Sequence, residues 1–441
     1  MSAPSPKKAH RRAVTATVVG NFIESFDWLG YGLFAPLFAA QFFPSDNSLT
    51  SLLGAFAVLG VGVLMRPLGG ILLGRHADRR GRRPALMLAI SLMAGGSFLI
   101  GLTPSYAHIG LFAPLLLLLA RTAQGISHGG EWPAAAAYLM EVAPKRRKAT
   151  YGSLFSLTTC AGAFTASLLG GALTTALGPG TMAAWGWRVP FLIGGILGLI
   201  LLVLRTRLAE TEIYRREVRT RRDRGSLRQL LVAHRRNVLI AVLFVAGTGA
   251  VGGTWTAVVP ALGGRLAAPG TMMWVVVTAT ATMMMLNVPI GLLADRIGAA
   301  RLLVAASALF AVTGSVSYLT MTGTFASLLF TYGSGVVYLV CATTVLPKLL
   351  TDIFPARIRA LGVGLPNAVT GAVLGGVAPA GAAYAAEHHA SGWFIAGVMT
   401  AVLLSIPASL LSRTMPADPA AAPARPAEAR EPEQALATTG S

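Results

Sequence analysis

Apolar runs of about eighteen residues or more recur along the whole chain, and each is long enough to cross a hydrocarbon core of about 30 Å as an α-helix. Within lipid, a backbone must satisfy its own N–H and C=O groups, which leaves helices and closed barrels as the only spanning structures. Barrel strands alternate apolar and polar residues, whereas these runs are continuous. The expected fold class is therefore an all-α membrane protein. Composition agrees: 54% of the 441 residues are hydrophobic and 12% are charged, where a soluble domain carries about 25% charged residues. The 50 glycines would weaken helices in water, but between membrane helices small residues let backbones approach closely.

The runs place about twelve transmembrane helices at 14–40, 51–74, 84–103, 109–140, 150–174, 187–204, 237–261, 271–294, 302–321, 325–347, 360–385 and 391–412. A net charge of +19 raises the possibility of nucleic acid, so the positions of the basic residues decide the matter. About 32 of the 36 Lys and Arg fall in the amino-terminal arm, the even-numbered connections and the tail; about two lie in the opposite connections and two inside helices. That asymmetry orients both termini to the cytoplasm, and the dominance of Ala and Gly with short basic loops makes a bacterial plasma membrane the expected home. The asymmetry also leaves no soluble basic face for nucleic acid. Lys7, Lys8, Arg11 and Arg12 precede the first run, but that run is too long for a secretory signal and contains Glu24 and Asp27. Cys160 and Cys341 lie within expected helices and read as small core residues. His388 and His389 beside Glu387 make a poor preformed metal site, so neither metal nor cofactor is expected.

The expected organisation is a basic cytoplasmic arm over 1–13, a six-helix half over 14–204, a basic linker over 205–236, a second six-helix half over 237–412 and a tail over 413–441. Ser226 to His234 is amphipathic enough to lie against anionic lipid, with a solvated basic linker as the alternative. The tail, rich in Ala, Pro and Glu, has too little apolar surface to order itself. An internal repeat supports the two halves. Gly74, Asp78, Arg79, Gly81, Arg82 and Arg83 form a pattern echoed at Gly291, Asp295, Arg296 and Gly298. Each copy follows the second helix of its half and reads as a tight turn, in which the aspartate accepts from arginines or from a helix amino terminus.

At these residues the chain resembles the major facilitator superfamily, whose signature is G-x-x-x-D-R/K-x-G-R-R/K. The first copy matches completely; the second lacks the closing basic pair. The resemblance implies that Gly74, Asp78, Arg79, Gly81, Arg82, Arg83, Asp295 and Arg296 latch the cytoplasmic side in one conformation and release it in the other. Further stretches are similar to the metabolite:proton symporters of that superfamily, which take up organic acids, shikimate-like compounds and betaine-type osmolytes. They are Gly20 to Glu24 with Asp27, Arg66 to Gly70, Gln124 to Glu131, Trp185 to Phe191, and Phe354 to Arg359. The chain departs from the family at Ser25, where an aromatic is usual, and at His128, where a small or apolar residue is usual.

A charge near the bilayer centre costs about 2.5–3.5 kcal/mol on insertion scales, so each one is a functional candidate. Glu24, Asp27, Trp28 and Tyr31 share one face of the first helix, and Arg121, Gln124, His128 and Trp132 share one face of the fourth, with Glu131 beside it. Asp27 or Glu24 is the expected carrier of the coupling proton, since burial disfavours a charged carboxyl, with His128 and Glu131 as further candidates. Arg121 is expected to grip a substrate carboxylate with its planar fork, with Gln124, Tyr31, Trp28 and Asn21 completing the site and a direct carboxylate–arginine pairing across it. Thr254, Trp255, Asn287, Tyr332 and Tyr338 are expected to face the cavity from the second half. Glu131 is also a candidate for the cytoplasmic gate, with Arg66 reaching it or freed carbonyls.

The resulting expectation is a monomeric, lipid-embedded symporter that imports a small organic acid, or a zwitterion such as betaine, driven by a proton gradient. An exporter is the alternative, although drug:proton antiporters usually carry a Gly-Pro motif in helix five, and Ala149 to Thr174 contains no proline. A non-transporting sensor would need a signalling domain. An enzyme would need a nucleotide loop, a nucleophile elbow or a metal cluster, none of which is written here.

Overall fold

The computed structural model describes residues 6–46, 48–206, 227–268, 271–355 and 358–413, and all regular structure among them is helical. Among the described residues ten helices are long and apolar enough to cross a membrane: α2 (Gly54–Arg80), α3 (Arg82–Leu102), α5 (Lys145–Gly178), α6 (Met182–Thr206), α7 (Arg235–Leu266), α8 (Trp274–Ile297), α9 (Ala299–Leu319), α10 (Phe325–Asp352), α11 (Arg359–Ala378) and α12 (Ser391–Arg413). Two more, α1 (Pro6–Phe42) and α4 (Phe112–Val142), have 37 and 31 residues and so the length to cross. These two carry Glu24, Asp27, Arg121 and Glu131, charges that a membrane helix keeps only at a cost and that therefore point to function.

Several boundaries differ from the sequence expectation for definable reasons. Helix α1 starts at Pro6, a residue suited to the first helical position, because nothing between there and Val14 breaks a helix. Residues 74–80, expected as a turn, are the last turns of α2; the reversal is confined to Gly81, whose φ of 115° favours glycine. Gly298, with φ of 100°, does the same after α8. Arg205 and Thr206, expected in the linker, end α6, and Leu227–Ala233 forms a short helix before α7. The rest of the linker, residues 356–357 and the tail beyond Arg413 lie outside the described residues.

Each half has its own core. In the first, Phe34, Phe38 and Phe42 of α1 pack against Trp187 and Phe191 of α6, mostly edge to face, with the Phe38 and Trp187 rings tilted at 41°. In the second, Trp255, Phe310 and Tyr338 pack together, with Trp255 Nε1 donating to Thr331 O at 2.8 Å. Helices α2 and α4 meet almost backbone to backbone. A Cβ on Gly125 would fall 2.1 Å from Gly62 O, and one on Gly129 would fall 1.9 Å from Arg66 O. This is the small-residue packing that replaces hydrophobic driving force in lipid, and it brings Arg66 beside α1.

Candidate substrate and proton site

The faces of α1 and α4 meet as their spacing predicts, but the charges are wired differently. Asp27 is 3% exposed. Its Oδ1 lies 2.5 Å from the Ser97 hydroxyl of α3, and its Oδ2 accepts from Gln124 Nε2 at 2.5 Å. Gln124 Oε1 in turn accepts from Arg121 Nη1 at 2.7 Å. The expected direct pairing of Arg121 with a carboxylate is therefore corrected: Gln124, one turn along α4, stands between them as an amide that donates one way and accepts the other.

Arg121 is fully buried, with its guanidinium 4.3 Å above the ring centroids of both Trp28 and Tyr31. Its Nε and Nη2 have no hydrogen-bond partner in the protein. The Arg66 guanidinium lies 4.0 Å from the Trp28 centroid, and the His128 ring stacks on the same indole at 5.0 Å. Such contacts hold cations at an aromatic face where water is scarce. Tyr31 is pinned by donating to Ala55 O at 3.2 Å.

Glu24 forms a second carboxylate group nearer the basic end. Its Oε1 lies 2.6 Å from His128 Nδ1 but off the line of a hydrogen bond, and both of its oxygens are buried. Glu131 pairs with Arg205 Nη2 at 2.5 Å, and Arg205 Nη1 donates to Leu86 O at 2.9 Å. Glu131 thus has Arg205, and not Arg66, as its partner. Gly20 makes room for that arginine, since a Cβ there would lie 2.0 Å from Arg205 Nη2.

Asn21 does not join Arg121. Its amide donates to Phe155 O, Thr158 Oγ1 and Thr159 Oγ1 at 2.8 to 3.1 Å, fastening α1 to α5. In the second half Trp255 and Tyr338 are core residues, not cavity residues, and Thr254 bonds its own helix at Ala250 O. Tyr332 packs in that core as well, at 7% exposed. Asn287 remains at the contact between halves, where Met283 Sδ of the same helix lies 3.5 Å from Cys160 Sγ of α5. Ser97 and Arg205 are the contributors that sequence reasoning missed.

The signature residues form a contact between the halves at the basic end. Asp78 accepts from Arg82 Nη1 at 2.5 Å, and from the backbone N–H groups of Ala360 and Leu361 at 3.2 and 2.9 Å. It therefore caps the amino terminus of α11, where a carboxylate is favoured. Glu141 sits beside it, 2.9 Å from Arg359 Nη1 and 3.5 Å from Arg82 Nη2. The second half repeats the device on the first: Asp295 accepts from the N–H groups of Ala149 and Thr150, both at 2.9 Å, at the start of α5. Asp352 pairs with Lys148 at 2.9 Å and with Lys348 at 2.7 Å.

Where Asp78 has Arg82, Asp295 has the Thr150 hydroxyl at 2.6 Å. Gly74 and Gly291 admit the capped helices, since a Cβ on either would lie 3.0 Å from the Cα of Leu361 or Thr150. Arg83 donates to Thr206 O, while Arg79 and Arg296 are exposed.

Residues 17–266 match the family described as the Major Facilitator Superfamily. The chain is 35% identical over 382 residues to a citrate-proton symporter of Klebsiella pneumoniae, covering 83% of each chain. It is also 35% identical over 370 residues to an alpha-ketoglutarate permease of Escherichia coli, covering 83% of this chain and 85% of that one. Its fold is similar to that of the proton:xylose symporter XylE, with a TM-score of 0.72 at 16% identity over 92% of this chain and 95% of that one. Coverage of this extent at this identity, added to a complete signature that caps a helix across two six-helix halves, leaves one assignment: the chain belongs to the major facilitator superfamily.

Proposed function

We propose that the chain is a proton-coupled symporter that brings a small organic acid into a bacterial cell, with both termini cytoplasmic and a proton gradient as its energy source. The observation that carries this reading is the buried sequence Arg121, Gln124, Asp27 and Ser97, which joins an anion-binding group to a titratable one through hydrogen bonds. Two similar proteins named for citrate and alpha-ketoglutarate support a carboxylate as cargo.

The coupling follows from donor counts. Ionised Asp27 accepts from Ser97 and Gln124, and Gln124 thereby presents its oxygen to Arg121. A protonated Asp27 donates instead to Ser97 Oγ, whose single hydrogen then turns to Met93 O at 3.0 Å. Gln124 is no longer drawn by a charge, and its hold on Arg121 loosens. Arg121 then offers its fork to a substrate carboxylate, with Trp28 and Tyr31 as its floor. Glu24 beside His128 provides a second place for a proton on the path to the cytoplasm. Because the exchange involves no covalent step, the halves need only rock about a midplane site.

The test is uptake of radiolabelled citrate and 2-oxoglutarate into proteoliposomes under an imposed proton gradient. The wild type should accumulate one of them. Asp27→Asn should abolish gradient-driven accumulation while retaining exchange of labelled for unlabelled substrate. Arg121→Gln should weaken substrate binding about 10- to 100-fold, the worth of a hydrogen bond to a charged group. Accumulation that ignores the gradient and both substitutions would overturn the proposal.

A further inference from the structure

The cytoplasmic end of the second half carries an open basic pocket away from the central site. It measures about 420 Å³ and is lined by Asp295, Arg296, Arg301, Lys348, Leu349 and Arg413, among others. Four cations from α8, α9, α10 and α12 therefore meet around one space. The acids nearby are committed elsewhere: Asp295 caps α5, and Asp352 holds Lys148 and Lys348. Arg296, Arg301 and Arg413 form no ion pair among the described residues and are exposed. About one turn earlier on α8, Leu292 and Leu293, which are 48% and 45% exposed, continue its outer surface away from the pocket.

Unpaired arginines above an apolar helix face suit a ligand with a phosphate at one end and acyl chains at the other. A guanidinium fork takes two phosphate oxygens at once, and basic pockets between helices on the cytoplasmic side suit anionic headgroups. We propose that this cavity binds the headgroup of an anionic phospholipid of the inner leaflet. Arg296 directly follows Asp295, and Lys348 shares Asp352 with Lys148, so the bound lipid sits beside both groups of the second interdomain contact. The proposal is independent of the cargo.

The test is native mass spectrometry of the full chain released from micelles, with dioleoyl phosphatidylglycerol, dioleoyl phosphatidylcholine or inorganic phosphate added. Near an anionic surface one basic residue is worth about a fivefold change in binding. The triple variant Arg296→Gln, Arg301→Gln, Arg413→Gln should therefore bind phosphatidylglycerol about a hundredfold more weakly than the wild type. The corresponding triple lysine variant should stay within about tenfold of the wild type, which separates loss of charge from loss of fold. Equal retention of phosphatidylcholine, or undiminished retention of phosphatidylglycerol by the glutamine variant, overturns the site. Retention of inorganic phosphate without phosphatidylglycerol overturns the lipid as its source.

Discussion

Ser97 has one hydroxyl hydrogen and two acceptors in reach, Asp27 Oδ1 at 2.5 Å and Met93 O at 3.0 Å. In the proposed mechanism, that choice would let a buried aspartate change its charge without stranding a donor. Ser97→Ala removes the hydrogen bond to the charged form, a loss of about 1.5–3 kcal/mol. Gradient-driven uptake should fall about 10- to 100-fold, while exchange at saturating substrate, which needs no change in the proton on Asp27, should stay within about threefold. Ser97→Thr keeps the hydroxyl and should restore uptake; equal loss in both assays would leave Ser97 a packing residue. The acids and arginines of this site were legible because charge in a membrane is too costly to be incidental. Ser97 was not, since a serine can satisfy itself on its own helix and leaves no mark in an apolar run. Arg205 was obscured by its place at the head of eleven basic residues, where nothing in the spacing separates a buried guanidinium from a solvated one.

At the scale of helices, the site depends on how closely α2 approaches α4. Gly129→Ala would set a Cβ 1.9 Å from Arg66 O, whereas Gly171→Ala meets nothing within 4 Å. The first substitution forces the helices apart and should cost about 1–3 kcal/mol, a fall in melting temperature of roughly 2–6 °C. It should also lift Arg66 from Trp28. The second should be neutral. Thermal unfolding in detergent, followed by tryptophan fluorescence, checks both; equal melting points for the two variants would mean that the contact yields without strain. The helices themselves were legible because apolar length reports a span directly. Their partners were less so. Trp255 and Tyr338 look like cavity residues because they are polar aromatics on membrane helices, yet their polar tips find partners within the bundle and their rings fill the core. The signature was recognisable in sequence but not its shape, since helix and turn differ there only in the φ of Gly81.

Across the whole molecule, paired contacts join the halves at the basic end, and their opening is where the two halves can be tested against each other. Asp78 caps α11 from the first half, and Asp295 caps α5 from the second. The two caps are not equal. Asp78 is fully buried and shares its charge with Arg82, whereas Asp295 is half-buried and leans on a threonine hydroxyl. A charge-assisted hydrogen bond strengthens as water is excluded, so the first cap contributes more to closure. Losing it at about 1.5–3 kcal/mol should move the closed-to-open ratio about 10- to 150-fold. Spin labels on cysteines at Arg80 and Ile297, exposed at the ends of α2 and α8, would report the gap between the halves. Asp78→Ala should shift most of the distance distribution to longer values, and Asp295→Ala only a minor part. The double variant should be open, because with neither carboxylate present both helix amino termini lose the acceptors that hold the halves together. Equal effects of the two single variants would instead mean that the flanking pairs, Glu141 with Arg359 and Asp352 with Lys148, carry the closure and the caps only orient it.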